Sequence, residues 1–481
     1  MSTKTAYALP YRQVIIVGAG IAGLDMACGL KRKLNFDDFV IYERNHALGG
    51  TWYDNNYPGC AVDIPGFIYQ LSYAPEPNFS RCFPSRAEMN AYLGRVADRF
   101  DIHKHVQYNM SWINGIWNED RKTWTVELQN VNTGETYTQE CKVLIGAIGH
   151  QVDPKDFEYP ENLDLKGKNV VVLGTGSTAT QVVPNILKDV KKCTQIQREP
   201  HWILNRPNPQ VPKSLRAFFS YFPFMFLCLQ HLTFAIVEAF YPILGRRISG
   251  MAKKHLKQCH VPEKYWPILT PDYTPGCKRI VFSVDYLQCL KDPKVEVVQD
   301  TVSSLSENHV ITGSGKKYEA DIIILCYGFK ADTFYYPIQG RNGLVPSEHW
   351  EIAGGPSCYK GCAMNGFPNF FSIRGPNVSS GHQSLIWFIE ATTALILKVS
   401  APLITGEVDT IEVDPKAEQS YVSRVQAACQ RGFWGRDCHT FYVTKDGWNH
   451  TVYPWTPYWL WFHRFVNKSH WIIAQRAISK N

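Results

Sequence analysis

Short, wholly apolar runs alternate with glycine turns and amphipathic stretches along the first two thirds of the chain. Val14-Ile-Ile-Val17 is a β-branched run bounded by Gln13 and Gly18, the pattern of a strand buried on both faces of a parallel sheet. It predicts a strand, with a helix from Leu24 to Leu34 and a second strand, Phe39-Val-Ile-Tyr42, closed by Glu43. The same order returns downstream. Asn169-Val-Val-Val-Leu173 predicts a strand, a helix runs through Gln181, and Cys193 to Gln197 predicts the next strand. Two more apolar runs, 143–149 and 320–328, end in glycine. Strands alternating with helices in this way indicate an α/β fold.

The turns between strand and helix carry the first chemistry. They hold Gly18, Gly20 and Gly23 in one unit, and Gly174, Gly176 and Ala179 in the other, with Ser177 and Thr178 opening the second helix. In this context glycines permit a tight turn and close approach of a pyrophosphate, the helix N-terminus attracts the phosphates, and an acid such as Glu43 bonds ribose hydroxyls. The chain therefore reads as two Rossmann-like dinucleotide-binding domains, one for FAD and one for a nicotinamide cofactor. An FAD domain is expected from residues 1–150 and 321–481, with 320–328 as the return into it. A NAD(P) domain is expected at 165–320, with an apolar helical insertion at about 205–275.

Within that insertion, 217–245 is apolar and long enough to cross a bilayer. Pro223, Gln230, His231, Glu238 and Pro242 interrupt it, and polar groups inside a span are costly. The expectation is a buried or surface-attached helical hairpin, open to peripheral membrane contact or to a homodimer contact. The aromatic tail from Trp455 to Phe462 is expected to pack on the body, with a membrane interface as the alternative.

Composition narrows the classes. At 481 residues, length alone suggests about three domains of roughly 150 residues each. With 45% hydrophobic and 19% charged residues, the chain is not largely disordered. The net charge of +7 comes without a dense Lys/Arg run, so no nucleic-acid partner is expected. Fourteen cysteines occur without a CxxC, and Cys438-His439 is isolated, so no metal site is expected. The N-terminus has no apolar signal segment, which predicts a cytoplasmic chain with reduced thiols.

Gly49-Gly50-Thr51-Trp52, Tyr57-Pro58-Gly59-Cys60 and Asp63-Ile64-Pro65 together resemble the class B, Baeyer–Villiger-type flavin monooxygenases. Gly174 to Gln181, Gln197-Arg198 with His201-Trp202, Cys277-Lys278-Arg279, Gly366-Phe-Pro-Asn369 and Gly375-Pro376-Asn377 agree, so the resemblance runs from about residue 12 to about residue 400. In that family NADPH reduces the flavin, reduced flavin binds oxygen, and the resulting anionic oxidant inserts oxygen beside a ketone carbonyl. Such an anion needs a fixed positive charge shielded from water. The resemblance implies that Arg279 supplies it, that Asp63 positions Arg279, and that Lys278 lies near the nicotinamide cofactor's phosphate. It also implies cofactor contacts from Gly50, Thr51, Trp52, Asp63, Arg198 and Asn377.

Two departures qualify the resemblance. The family fingerprint FxGxxxHxxxWP does not stand between the two halves, where only Tyr159-Pro160 matches its end. Glu199 occupies the position equivalent to Glu43 (each lies 25 residues after the first glycine of its turn), where a carboxylate repels a 2′-phosphate and favours NADH. Adjacent Arg198 favours NADPH. NADPH is the expectation, with NADH as the alternative. The substrate is expected to be a small-molecule ketone or aromatic natural product of apolar character, in secondary-metabolite biosynthesis. Hydroxylation of C, N or S, or a non-oxygenating isomerase, cyclisation or accessory role, remain as alternatives.

Overall fold

The computed structural model describes residues 6–149, 159–160, 162–245, 247–283, 285–328, 334–432, 440–463 and 465–475. The segment between the two halves where the fingerprint is missing, apart from Tyr159, Pro160 and its last residues, and Cys438-His439 therefore lie outside the described residues.

Two parallel sheets repeat one plan. In the first, β1 (Tyr7–Val17) lies between β2 (Phe39–Tyr42) and β6 (Thr136–Gly146), both parallel to it, and β3 (Val106–Gln107) follows β2. Helix α1 (Ile21–Leu34) crosses over between β1 and β2, and the short α2 (Thr51–Asp54) and α3 (Arg86–Arg99) follow β2. Strands β4 (Met110–Asn118) and β5 (Thr123–Asn130) extend the sheet antiparallel beyond β6. In the second sheet, β7 (Asn169–Leu173) lies between β8 (Lys192–Gln197) and β15 (Ile322–Leu325), with β11 (Val295–Gln299) beyond β8. Helix α4 (Ser177–Ile186) stands where α1 does. Strands β12 (Val302–Leu305), β13 (His309–Thr312) and β14 (Lys317–Glu319) form an antiparallel extension, and β9 (Ile203–Asn205) pairs with β10 (Val281–Ser283). The buried β-branched runs predicted as strands form the two sheet centres: Val14, Ile15 and Ile16 are fully enclosed, as are Val171 and Val172.

One boundary differs from the expectation. The run at 320–328 does not return into the first sheet. Its strand β15 pairs with β7, Ile322 opposite Val170, and closes the second sheet. It is the counterpart of β6, which pairs with β1. An apolar run cannot reveal which sheet it joins, and here the repeat claims it. The chain regains the first sheet through β16 (Ile338–Gln339) on β4 and β17 (Phe370–Ser372) on β6. The helix Leu385–Ile404 then packs on α1.

The apolar insertion is helical: α5 (Lys213–Tyr221), α6 (Pro223–Gly245) and α7 (Ile248–Gln258). Among the described residues, twelve cysteines are free thiols, whereas Cys277 is disulfide-bonded. This corrects the expectation of reduced thiols throughout, since cysteine spacing alone does not reveal pairing.

Candidate active site

A cleft of about 1810 Å³ runs between the C-terminal edges of the two parallel sheets. Gly18, Gly20, Glu43, Gly50, Thr51, Trp52 and Asp63 face it from the first fold, and Gly174, Gly176, Ser177, Thr178, Arg198, Lys278 and Arg279 from the second.

The first turn is built to admit a large polar group against backbone. Gly18 has φ +102°, and a Cβ there would stand 2.6 Å from the Ala147 carbonyl oxygen. Gly50, at φ +54°, brings its backbone against Gly20, so that a Cβ would lie 2.9 Å from the Gly20 Cα. Gly23 does not line the cleft. A Cβ on it would lie 1.9 Å from the Gly18 oxygen, so it lets α1 seat on the turn. Glu43 is buried, and its carboxylate accepts from the amides of Ala19 (2.8 Å) and Asn45 (2.9 Å). Burial raises its pKa against those bonds. Trp52 sits edge-on to Tyr69 at 5.7 Å, and Arg86 holds its turn by donating to the Trp52 and Tyr53 carbonyls. This glycine-lined cradle at a helix N-terminus fits a dinucleotide. Gly174 repeats the feature at φ +123°, where a Cβ would stand 2.4 Å from the Cys326 oxygen.

The Tyr57-Pro58-Gly59-Cys60 loop is the seat between the folds. Tyr57 donates to Gln181 Oε1 (3.0 Å), and Gln181 Nε2 donates to the Ala61 carbonyl (3.1 Å). A Cβ on Gly59 would meet Asn185 at 2.3 Å and the Gln181 oxygen at 2.6 Å. Helix α4 of the second fold thus clamps the loop that carries Asp63. Arg206 adds a bond to the Val62 carbonyl (2.6 Å).

Arg279 and Asp63, 216 residues apart in sequence, meet in the cleft. Arg279 Nη2 lies 2.6 Å from Asp63 Oδ1. The carboxylate raises the guanidinium pKa further above its usual range, so the cation is permanent. The Arg279 side chain keeps 45% of its surface accessible while its tip is anchored. A fixed, partly uncovered positive charge in a walled cleft is suited to hold an anionic oxygen.

Lys278 is ion-paired with Glu199, whose pKa it lowers, and it lies 4.9 Å from the Tyr273 ring centre. Arg198 faces the cleft without a salt bridge among the described residues. Glu199 thus holds Lys278, the cation expected near the nicotinamide cofactor's phosphate, and leaves Arg198 for the 2′-phosphate. Replacing Glu199 with Thr frees Lys278 and removes a like charge. The ratio of kcat/KM for NADPH over NADH is expected to rise about tenfold, equivalent to ~1.4 kcal/mol; an unchanged ratio sets Glu199 outside coenzyme choice.

Asn377 does not line the cleft. It is buried at φ +60°, and its Nδ2 donates to the carbonyls of Asn449 (2.9 Å) and Val452 (3.1 Å). This corrects its expected cofactor contact, since the turn uses its amide to tie down the C-terminal segment. His382 bonds Glu238 of α6 at 3.0 Å and does not face the cleft.

Arg374 has no counterpart among the residues the sequence singled out. It lines the cleft at φ +65°, its Nε is sealed without a hydrogen-bond partner among the described residues, and burial lowers its pKa to about 10. Tyr69, which lines the cleft within electrostatic reach of Arg374 and of the Arg279–Asp63 pair, is likewise a site residue that sequence reasoning missed. The signal for Arg374 is a charge two residues beyond a short strand, directly before Gly375 and Pro376.

Two glycine-cradled nucleotide folds sharing a cleft, with a fixed arginine at their seam, define a two-cofactor oxidoreductase. The chain is 31% identical to a Baeyer–Villiger monooxygenase of Pseudomonas aeruginosa over 94% of its own length and 90% of the relative's. It belongs to the Baeyer–Villiger monooxygenase family, and is an FAD- and NADPH-dependent oxidoreductase. A Baeyer–Villiger monooxygenase of Streptomyces coelicolor is 31% identical over 92% of this chain and 89% of that protein. The FAD-binding monooxygenase BOA2 of Botryotinia fuckeliana is 30% identical over 100% and 98%, in an alignment of 523 positions, so BOA2 carries stretches with no counterpart here. Residues 16–83 match the NAD(P)-binding Rossmann-like domain. In fold, the chain is similar to oxidised steroid monooxygenase bound to NADP (TM-score 0.82, 22% identity, 97% of this chain and 100% of that one). It is equally similar to cyclohexanone monooxygenase in a closed crystal form (TM-score 0.82, 21% identity, 98% and 100%).

Proposed function

We propose that this enzyme oxygenates a lipophilic ketone at the seam of its two folds, inserting oxygen beside the carbonyl, as a step in secondary metabolism. The observation that carries this reading is the Arg279–Asp63 pair, a permanent cation on the wall of the cleft that both nucleotide turns share. When bound, the flavin supplies the redox centre that accepts electrons from NADPH and activates dioxygen. The chain's own residues do the rest. Gly18, Gly20 and Gly50 admit the cofactor against backbone, Trp52 and Tyr69 wall the cleft from water, Asp63 fixes Arg279, and Arg279 stabilises negative oxygen. The relative BOA2, an FAD-binding monooxygenase matched over nearly its full length, supports the flavin-dependent oxygenation.

Two measurements test the reading. Anaerobic NADPH is expected to bleach the oxidised flavin band, and aerobic turnover with a panel of cyclic and long-chain ketones to yield esters or lactones. Hydroxylated ketones from that panel, or N-oxides and sulfoxides from amines and sulfides offered beside it, in place of esters point to hydroxylation instead. Flavin that stays oxidised with both coenzymes, with and without ketone, defeats the proposal and leaves a non-oxygenating role, the reading that the missing fingerprint favours.

A further inference from the structure

We propose that α6 docks this enzyme in the plane of an anionic lipid bilayer, beside its own cleft. The residues of α6 sort into two stripes. Phe226, Gln230, Phe234 and Glu238, spaced by four, face the body: Gln230 donates to the Phe67 carbonyl (2.7 Å), and Glu238 bonds His382 (3.0 Å). Phe224, Leu232, Ile236 and Phe240 form the opposite stripe, open to solvent, with Phe224 72% and Leu232 58% exposed. Only 11% of the Pro223–Phe240 stretch is buried. An apolar helix face of this length left uncovered marks a contact surface.

Charge identifies the partner. Residues 213–258 contain seven Lys or Arg and one acid, Glu238, which is turned inward. Lys213 lies before the apolar helix, and Arg247, Lys253, Lys254 and Lys257 after it, all exposed. An apolar stripe bracketed by cations matches lipid tails beneath anionic headgroups. A second copy of the chain would bring this positive charge against itself. The polar inner stripe, bonded to the body, excludes a transmembrane path for α6, because those bonds would have to break inside hydrocarbon.

The aromatic tail completes the surface. Trp387 stacks on Phe234 at 4.3 Å and packs against Trp461 at 5.3 Å, so α6 is continuous with exposed Trp459, Trp461 and Phe462. Tryptophans of this kind favour the headgroup level. Gln383 lines the cleft and donates to the Phe234 carbonyl (3.1 Å), which places the docking helix one residue layer from the catalytic space. A lipophilic substrate can then pass from the bilayer into the cleft. This last clause rests on the function proposed above; docking itself does not.

The experiment is flotation of the full-length, FAD-loaded protein with vesicles of phosphatidylcholine alone or with about 30% phosphatidylserine, a strongly anionic surface. We expect it to float with the anionic vesicles and to partition far less to the neutral ones. Lys253→Glu/Lys254→Glu/Lys257→Glu is expected to reduce partition by about 100-fold, from the energy of each basic residue near such a surface. Phe224→Ser/Ile236→Ser/Phe240→Ser is expected to abolish flotation. FAD content and melting temperature of both variants serve as controls for folding. Protein that stays in the bottom fraction with both vesicles, or that sediments as a dimer dispersed by the Phe224→Ser/Ile236→Ser/Phe240→Ser variant without vesicle binding, overturns the proposal. None of these readouts depends on oxygenation, so failure of docking and failure of the catalytic reading are separable.

Discussion

Arg279→Ala is expected to lower oxygenated product by at least about 10²–10³-fold, the usual cost of removing a preorganised group aimed at a developing oxyanion. Flavin reduction by NADPH is expected to survive within a few-fold, because neither nucleotide turn contains Arg279. The electrons then leave as hydrogen peroxide, and consumption of NADPH uncouples from product. Asp63→Asn should give a milder form of the same phenotype, since it keeps the cation but releases the 2.6 Å anchor that fixes it. Steady-state product analysis beside a peroxide assay separates the two. If Arg279→Ala retains product formation within tenfold, the cation that matters is another one, and Arg374 is the remaining guanidinium on the cleft wall near Tyr69.

The difference between those two arginines shows what the sequence could and could not reveal. Arg279 was legible because it follows Lys278 within a block that resembles a known family. Its partner Asp63 was legible for the same reason, and geometry then joined them across 216 positions. Arg374 has no such context. It lies two residues beyond the short strand β17, and only folding places its side chain in the cleft, beside Tyr69 and Tyr336, with no carboxylate to pair with among the described residues. The fingerprints were legible because glycine at a turn is demanded by backbone contact rather than by side-chain chemistry. The sheet membership of 320–328 and the inward turn of Asn377 were not. A four-residue apolar strand fits any buried parallel position, and an Asn in a left-handed turn can bond either a ligand or its own backbone.

The repeat between the folds yields the second large effect. Gly18→Ala and Gly174→Ala make the same change at equivalent positions, yet their consequences are expected to separate by cofactor. A Cβ at 18 collides with the Ala147 oxygen at 2.6 Å, and one at 174 with the Cys326 oxygen at 2.4 Å, each at a φ that L side chains avoid. Neither oxygen can yield easily, because each belongs to the residue that follows a strand of its sheet: β6 lies against β1, and β15 against β7. Overpacking costs about 1–3 kcal/mol and a left-handed non-glycine backbone about 1 kcal/mol more. Some ~3 kcal/mol lost at the turn amounts to over a hundredfold in affinity for the dinucleotide it cradles. Gly18→Ala should therefore be isolated largely without FAD, and colourless. Gly174→Ala should be isolated yellow, with full FAD, and fail instead in reduction, its KM for NADPH raised more than tenfold. The third position of each motif sharpens the comparison. Gly23 is closed to any Cβ by the Gly18 oxygen at 1.9 Å, whereas its counterpart Ala179 already carries one. The second turn thus accommodates a Cβ at its third position where the first cannot, although the first position is closed in both. Absorbance of the purified variants at the flavin band, followed by anaerobic titration with NADPH, decides the matter. Loss of FAD from Gly174→Ala, or its full retention by Gly18→Ala, would mean that the cofactors are not divided between the folds in this way.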